Sequence, residues 1–264
     1  RPITLPKAKK SGHSFTLDGD ATEASTSLSA THSNHLKFSN SLKLRTPMKR
    51  LAIFDLDGTL LNTIKDLGIA CNYALEKNGY SGHSLATYPF MVGNGVRKLI
   101  QRSCPDADEA MVDTLLADFK QYYDEHNTEY TTPYNGIPEL LQRLVEMDIK
   151  IAVASNKYQT ATDKIVRHFF ADIPFVSIQG QIEGRPVKPD PSIVFTILNQ
   201  SPTPKSEVIY IGDSAVDIET ARRACVTSVG VTWGFRTVSE LRQAYADHII
   251  SSPSEILNLL NEPF

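Results

Sequence analysis

Short apolar segments rich in Ile and Val alternate with helical patterns along most of this 264-residue chain. Strands that are buried on both faces have nearly continuous apolar sequences, and the helical patterns between them supply the crossover connections. This alternation predicts an α/β fold, with helices on both faces of a parallel sheet. Ligand chemistry is then expected at the carboxyl ends of the strands.

The positions of these elements follow from the periodicity of the apolar residues. The predicted strands are residues 51–54, 149–154, 175–178, 208–211 and 227–231. The predicted helices are residues 64–77, 107–123, 138–147, 158–169, 192–198 and 216–224. Because residues 63–132 contain no strand-like run, we expect them to form a helical cap inserted after the first strand. Residues 48–62 and 133–264 would then form the core.

Residues 1–47 differ in composition from the rest of the chain. They contain eight Ser and six Thr with few aliphatic residues, and they carry a charge of +4, whereas the remainder carries −7. Met48 comes shortly before the first predicted strand, as expected of a native start. We expect residues 1–47 to be a disordered or loosely attached leader, either non-native or an organelle transit segment. A secretory signal is not expected, since the segment has no apolar region.

Charge and composition disfavour several classes of partner. The net charge is −3 at pH 7, so the chain offers no general basic field to nucleic acid or acidic lipids. No apolar run approaches the roughly 18–20 residues that cross a bilayer, so no membrane partner is expected. Cys71, Cys104 and Cys225 are odd in number and lack paired spacing, which favours a reducing, cytoplasmic location. Nothing in the sequence indicates an oligomeric state.

The first predicted strand ends in a pair of acidic residues, Asp55 and Asp57, followed by Gly58. Alternate residues of an extended chain point the same way, so the two carboxylates can converge. Adjacent carboxylates repel each other unless a cation or a proton separates them, which favours a hard divalent metal. An ordinary turn rich in Asp and Gly is the alternative. An EF-hand loop is disfavoured, because Leu60 stands where a polar ligand is needed.

Three later segments also place polar residues after strands or before helices. Ser155 and Asn156 follow the second predicted strand, an arrangement suited to phosphate oxygens or to a simple helix cap. Lys188 lies between two prolines before a helix, where its ammonium group could neutralise a phosphoryl group. Asp213 follows the fourth predicted strand, and Asp217 lies four residues later. Near the first acidic pair they would complete an oxygen-rich site for Mg²⁺, although turn chemistry also accounts for them.

The order and spacing of these four motifs resemble those of the haloacid dehalogenase superfamily, from about residue 48 to the C terminus. The resemblance implies a Rossmann-like parallel-sheet core with a cap domain and a Mg²⁺-dependent phosphohydrolase. By motif position it implies Asp55 as nucleophile and Asp57 as general acid and base. It implies phosphate binding by Ser155 and Lys188, and a Mg²⁺ site of Asp55, the Asp57 carbonyl and Asp213. The supporting groups that it implies are Thr59, Asn156, Ser214 and Asp217.

The position of the cap narrows the expected substrate. The insertion lies between the first two motifs, as in phosphoglycolate phosphatases and β-phosphoglucomutases, and a helical lid suits a small phosphorylated metabolite. Segments 92–97, 155–157 and 233–236 resemble the phosphoglycolate phosphatases, although Ser155 replaces the more usual Thr. Segment 92–97 could present backbone amides and a guanidinium to a carboxylate, with a plain glycine turn as the alternative. The further substrate-binding candidates are Gly93, Asn94, Gly95, Arg97 and Lys157.

The expected function is therefore a phosphatase for a small phosphorylated metabolite, with phosphoglycolate as the best single guess. Asp57 disfavours the true dehalogenases and phosphonatases, which by the resemblance lack a carboxylate at this position. The ion-pump ATPases have Lys at the position of Leu56 and also need membrane spans. A phosphosugar mutase and a pyrophosphatase of the same superfamily stay open, as does a non-catalytic module built on this fold.

Overall fold

The computed structural model of the chain describes residues 48–260, so the expected leader, residues 1–47, lies outside the described residues. Within residues 48–260, six strands form one parallel sheet. These strands are β1 (Leu51–Phe54), β4 (Lys150–Tyr158), β5 (Phe175–Gln181), β6 (Val208–Gly212), β7 (Thr227–Val231) and β8 (His248–Ile250). Their order across the sheet is β5–β4–β1–β6–β7–β8.

Strand β1 lies between β4 and β6, and its register determines which residues of these strands meet after Phe54. Phe54, the last residue of β1, pairs with Val153 of β4 and with Ile211 of β6. The residues that come next in each strand or loop, among them Asp55 and Asp213, therefore meet at one edge of the sheet. This is the carboxyl edge, where open α/β sheets bind their ligands.

Helices cover the sheet on both faces because both faces are apolar. Ala52 and Phe54 pack into one buried apolar cluster, whereas Leu51 and Ile53 pack into a second, as the alternation of side chains along a strand requires. The core helices are α4 (Ile137–Glu146), α5 (Gln159–Phe169), α6 (Ser192–Gln200), α7 (Ala215–Ala224), α8 (Val238–Gln243) and α9 (Ile256–Leu259).

The insertion after β1 is mainly helical, and it begins and ends at a short two-stranded ribbon. The ribbon pairs β2 (Leu61–Asn62) with β3 (Thr132–Pro133) in antiparallel register. Between them lie α1 (Ile64–Lys77), a 3-10 helix (Leu85–Phe90), α2 (Val96–Ser103) and α3 (Glu109–His126). Helix α3 packs against both α1 and α2.

Hydrogen bonds from the returning chain fasten the two ends of the insertion to each other. The buried carboxylate of Asp66, in the first turn of α1, accepts backbone N–H bonds from Tyr130 and Thr131 at 2.8–3.1 Å. It also accepts the Thr131 hydroxyl at 2.7 Å. The chain therefore leaves and re-enters the core at neighbouring points.

The predicted α/β fold is confirmed, and β1, α1 and β7 have the predicted bounds. Several short elements were missed. They include α2, which follows directly on a glycine-rich segment, and the strands β2, β3 and β8, which have only two or three residues each. Strand β4 continues to Tyr158, beyond its predicted end at Ala154, and α5 begins at Gln159, one residue after the predicted helix start. The extent of the cap, residues 63–132, stays a prediction. None of the helices in residues 48–260 has the length and apolarity to span a membrane.

Candidate active site

A buried lysine joins two carboxylates at the carboxyl edge of the sheet. Asp55 follows β1, and its Oδ1 atom accepts a hydrogen bond from Lys188 Nζ at 2.8 Å. The same ammonium group donates to Asp217 Oδ1 at 2.7 Å and to the Ala154 carbonyl at 2.9 Å. Three acceptors therefore satisfy the three N–H donors of this buried cation, which holds Asp55 in a single position.

Asn156, near the C-terminal end of β4, positions the backbone of Lys188. The Asn156 Oδ1 atom accepts the Lys188 backbone N–H at 2.8 Å, and its Nδ2 atom donates to the Lys188 carbonyl at 3.2 Å. Nδ2 also donates to the Gly93 carbonyl of the cap at 3.0 Å. Asn156 thus connects the lysine loop to a segment of the insertion. The Asn156 amide therefore affects the site through the backbone of Lys188 and of Gly93.

A third carboxylate completes an acidic cluster. Oxygen atoms of Asp55, Asp213 and Asp217 all lie within 4.8 Å of one another, and all three residues are buried. Asp213 follows β6 and accepts the Phe235 backbone N–H at 2.6 Å. Asp217 lies in the first turn of α7, where its Oδ2 atom accepts the Ser214 hydroxyl at 2.6 Å in a capping box. Ser214 is therefore a helix cap that orients Asp217.

The electrostatics of this cluster fit a bound cation. Burial raises the pKa of Asp55 to about 7, with the charge of Asp217 adding to the effect and Lys188 opposing it. Burial and the same neighbouring carboxylates raise the pKa of Asp213 well above its usual range. Burial disfavours the charged form of Lys188, but Asp217 and Asp55 outweigh this and raise its pKa well above the ordinary value. Crowded, desolvated carboxylate oxygens of this kind are what a hard divalent metal requires.

Asp57 lies two residues after Asp55, and its carboxylate contacts groups outside the acidic cluster. Gly58, with φ of +88°, begins the turn that carries the chain towards the cap. The Asp57 Oδ1 atom accepts the Thr63 hydroxyl at 2.7 Å, and Oδ2 lies 3.1 Å from Lys157 Nζ. Lys157 also donates to the Tyr123 hydroxyl, on cap helix α3, at 3.0 Å. A hydrogen-bonded carboxylate two residues from Asp55 is suited to proton transfer.

One cavity brings most of the predicted residues together. It lies between the carboxyl edge of the sheet and the insertion, and its apolar wall comes from the cap residues Leu67, Val92, Val96 and Leu99. The predicted site residues that line it are Asp55, Asp57, Gly93, Gly95, Ser155, Asn156, Lys157, Lys188, Asp213 and Ser214. Asp217 lies directly behind Lys188.

Besides Asp217, three predicted residues lie outside this lining. Arg97 is on the exposed side of α2, where its guanidinium pairs with Glu109 and Asp113 of α3. The glycine-rich segment was expected to present Arg97 to a ligand, but α2 begins at Val96 and buries its opposite face. The Asn94 Oδ1 atom accepts a hydrogen bond from Arg102 at 2.8 Å.

Thr59 is the third, and it is fully buried below the cavity. Its hydroxyl has no hydrogen-bond partner within residues 48–260, whereas its carbonyl accepts the Trp233 indole N–H at 3.0 Å.

Three functional candidates were missed at the level of sequence: Thr63, Tyr123 and Arg236. Arg236 lines the cavity from the segment after β7, and its Nη2 atom donates to the Val92 carbonyl of the cap at 2.8 Å. Its position shortly after the end of a strand was the available signal. Thr63 and Tyr123 carry no local signal, since their roles depend on contacts with Asp57 and Lys157.

Known proteins are similar to this chain in sequence and in fold. The family model of haloacid dehalogenase-like hydrolases matches residues 52–231. A phosphoglycolate phosphatase of Aquifex aeolicus is 30% identical over 80% of this chain and 97% of its own length. The "Putative pyrophosphatase PpaX" of Caldanaerobacter subterraneus is 29% identical over 79% and 93%.

A solved structure described as a predicted phosphoglycolate phosphatase, from Haemophilus somnus, superposes with a TM-score of 0.74 at 26% identity. It covers 80% of this chain and 97% of its own. The range of the family match, residues 52–231, contains the acidic cluster and the lysine that joins it. The resemblance seen in the four motifs is thereby confirmed, and this chain belongs to the family of haloacid dehalogenase-like hydrolases.

Proposed function

We propose that this chain is a Mg²⁺-dependent phosphatase that hydrolyses a small phosphomonoester, with 2-phosphoglycolate as the preferred substrate. The observation that supports it most is the buried Lys188, which holds Asp55 at 2.8 Å beside an acidic cluster and at the floor of a cavity. A carboxylate held in this way is oriented for attack, and the cation next to it can accept the charge of a phosphoryl group.

The first half of the reaction uses Asp55 as the nucleophile. Its carboxylate attacks the phosphorus atom, and the ester oxygen leaves as the bond to phosphorus breaks. Ser155 holds the phosphoryl oxygens by hydrogen bonds, and the positive charge of Lys188 attracts them. Asp57 donates a proton to the leaving oxygen, so that an alcohol departs and an aspartyl phosphate remains on Asp55.

The second half of the reaction returns the enzyme to its first state. Asp57, now ionised, takes a proton from a water molecule, which attacks the aspartyl phosphate and releases inorganic phosphate. Lys157 and Thr63 hold the carboxylate of Asp57 by its two oxygen atoms, so the same group serves both steps from one position. The splitting of one difficult displacement into two easier steps is the advantage of a covalent intermediate.

The Mg²⁺ ligands proposed are carboxylate oxygens of Asp55 and Asp213 together with the carbonyl oxygen of Asp57. Asp217 belongs to the same acidic cluster, but its two oxygens already accept bonds from Lys188 and Ser214. We therefore assign Asp217 to the positioning of Lys188. When bound, Mg²⁺ supplies positive charge that offsets the repulsion between the nucleophile and the phosphoryl oxygens.

The choice of a small metabolite rests on the enclosure of the cavity by the insertion. We propose that residues 63–132 form a cap domain, which excludes bulk water and large substrates when it closes over the core. Gly93 and Gly95 bring the cap backbone close to the substrate, and Asn156 ties that backbone to the core. The phosphoglycolate phosphatases among the relatives support the specific substrate. A cytoplasmic location suits the three free cysteines.

The test is phosphate release from 2-phosphoglycolate, pyrophosphate, sugar phosphates and nucleotides, with Mg²⁺ or with EDTA. We expect Mg²⁺-dependent release, with the highest kcat/KM for 2-phosphoglycolate. Asp55→Asn should lower kcat at least about 10³-fold, because the amide is a poor nucleophile. Asp172→Asn, which changes an exposed carboxylate of the core, is the matched control and should retain wild-type kcat.

The relative named as a pyrophosphatase supports a second candidate, hydrolysis of pyrophosphate. The same panel separates the two, since a preference for pyrophosphate over 2-phosphoglycolate would replace the proposed substrate and keep the mechanism. Exchange of phosphate between sugar phosphate isomers without net release would instead identify a mutase. Equal activity of Asp55→Asn and wild type would overturn the assignment of the nucleophile.

A further inference from the structure

We propose that Arg236 recognises a second anionic group of the substrate, the carboxylate, and thereby selects phosphate esters that carry a carboxylate near the phosphorus atom. This inference rests on the proposed phosphatase function of the same cavity. Arg236 lies in the loop between β7 and α8, and it lines the cavity together with Gly93 of the cap and with Lys188 and Asp213 of the core.

The other two cations of the cavity are already paired with carboxylates. Lys188 lies 2.8 Å from Asp55 and 2.7 Å from Asp217. Lys157 lies 3.1 Å from Asp57 and donates a second hydrogen bond to the Tyr123 hydroxyl. The charge of each ammonium group is therefore already balanced by a carboxylate of the site.

Arg236 is placed differently. Within residues 48–260, its nearest carboxylate oxygen is Glu240 Oε1, 4.0 Å from Nε, and that oxygen already accepts the Ala215 backbone N–H at 3.0 Å. Arg236 Nη2 donates to the Val92 carbonyl at 2.8 Å, which fixes the guanidinium against the cap. The side chain is only 17% exposed, so the group is held within the site. Its remaining N–H donors are available to a ligand.

A guanidinium suits a carboxylate because its planar, parallel N–H groups form two hydrogen bonds to the two oxygens. The charge of arginine persists at every physiological pH, so this recognition does not require a protonation step. In the proposed reaction the phosphoryl group lies next to Asp55 and Lys188. A substrate with a carboxylate as a second anionic group would therefore be held by Arg236 as well, whereas a phosphate ester of an uncharged alcohol would lack that second contact.

The sequence expectation placed this role on Arg97, which provides a direct comparison. Arg97 is exposed on the outer side of α2 and is paired with two carboxylates of α3. The sequence pattern therefore predicts that Arg97 binds the substrate carboxylate, whereas the tertiary structure predicts that Arg236 does.

The experiment compares 2-phosphoglycolate with ethyl phosphate, which has the same number of carbon atoms and no carboxylate. Steady-state kinetics are measured for wild type, Arg236→Gln, Arg236→Lys and Arg97→Gln, with Arg143→Gln as a control at an exposed position of α4. We expect Arg236→Gln to raise KM for 2-phosphoglycolate about 10- to 100-fold, the loss typical of a charge-assisted hydrogen-bonded pair. kcat/KM for ethyl phosphate should change less than about 3-fold, which also shows that the variant is folded.

The remaining variants test whether Arg236 binds the substrate carboxylate. Arg236→Lys should restore part of the affinity, since it keeps the charge but loses the paired hydrogen bonds. A rise in KM for Arg97→Gln with none for Arg236→Gln would overturn the proposal in favour of the cap arginine. Equal losses on both substrates would show that Arg236 is merely structural. If wild type shows no preference for 2-phosphoglycolate over ethyl phosphate, the proposed substrate itself is wrong, which is a separate outcome.

Discussion

Lys157 has one of the most constrained side chains in the cavity. Its side chain is 1% exposed, and its ammonium group contacts Asp57 at 3.1 Å and the Tyr123 hydroxyl at 3.0 Å. Because Tyr123 lies on α3 of the insertion and Asp57 in the core, the lysine joins the proposed general acid to that helix. We interpret Lys157 as a positioning residue for proton transfer.

Replacing this residue should affect substrates according to their leaving group. Lys157→Met removes one of the two partners of Asp57, so we expect kcat for 2-phosphoglycolate to fall about 10- to 100-fold. p-Nitrophenyl phosphate releases a stable phenolate and needs little help from an acid, so its rate of enzyme phosphorylation should fall much less. The measurement is single-turnover kinetics on both substrates.

Lys150→Met is the matched control, because Lys150 is exposed at the opposite end of the same strand. It should behave as wild type on both substrates. An equal loss on both substrates in Lys157→Met would contradict a role in proton transfer and would indicate a general loss of structure.

At the scale of elements, the contact between β6 and α7 determines where Asp217 lies. Gly212 ends β6, and a Cβ atom there would lie 2.2 Å from Asp217 Cβ. We expect Gly212→Ala to lower the free energy of unfolding by about 3 kcal/mol and to displace Asp217 from Lys188, since the nearest atoms belong to a rigid helix start.

Gly230 is the matched control, because it lies in the neighbouring strand β7 and pairs directly with Gly212. A Cβ atom at Gly230 would lie 3.1 Å from the end of the Leu241 side chain, which can move aside. Gly230→Ala should therefore cost about 1 kcal/mol or less in urea unfolding. Similar costs for the two variants would argue against the close approach of β6 and α7.

At the scale of the whole molecule, metal binding and folding should be coupled through the acidic cluster. Burial raises the pKa of Asp55 to about 7 from an ordinary value of 3.8, and it raises the pKa of Asp213 as well. Without metal, the folded state therefore binds more protons than the unfolded state between about pH 4 and pH 7. Stability from these groups is present at low pH and declines as pH rises through that window.

Mg²⁺ should reverse this trend, because it binds the deprotonated carboxylates. At tenfold excess over Kd, we expect Mg²⁺ to raise Tm by about 3–6 °C at pH 8, and by much less at pH 5.5. The measurement is thermal unfolding with MgCl₂ against KCl at equal ionic strength. A gain that is equal at both pH values, or that persists in Asp213→Asn, would count against metal binding in this cluster.

Much of this architecture could be predicted from local patterns. The apolar runs determine β1 and β7, the spaced apolar residues determine α1, and parallel strands necessarily bring their carboxyl ends to one edge. The four polar motifs follow from that geometry, so Asp55, Lys188 and Asp213 could be expected to lie together. The cap could be expected from a helical pattern between the first two motifs.

The sequence by itself therefore determined the α/β class and the set of candidate residues, because hydrophobic periodicity and turn chemistry are local. The tertiary structure decided which atoms meet. Lys188 pairs with a residue 133 positions away, Lys157 is held by a cap tyrosine, and Arg236 faces the cavity while Arg97 faces outward. Such pairings depend on the packing of elements far apart in the chain, which no local pattern encodes.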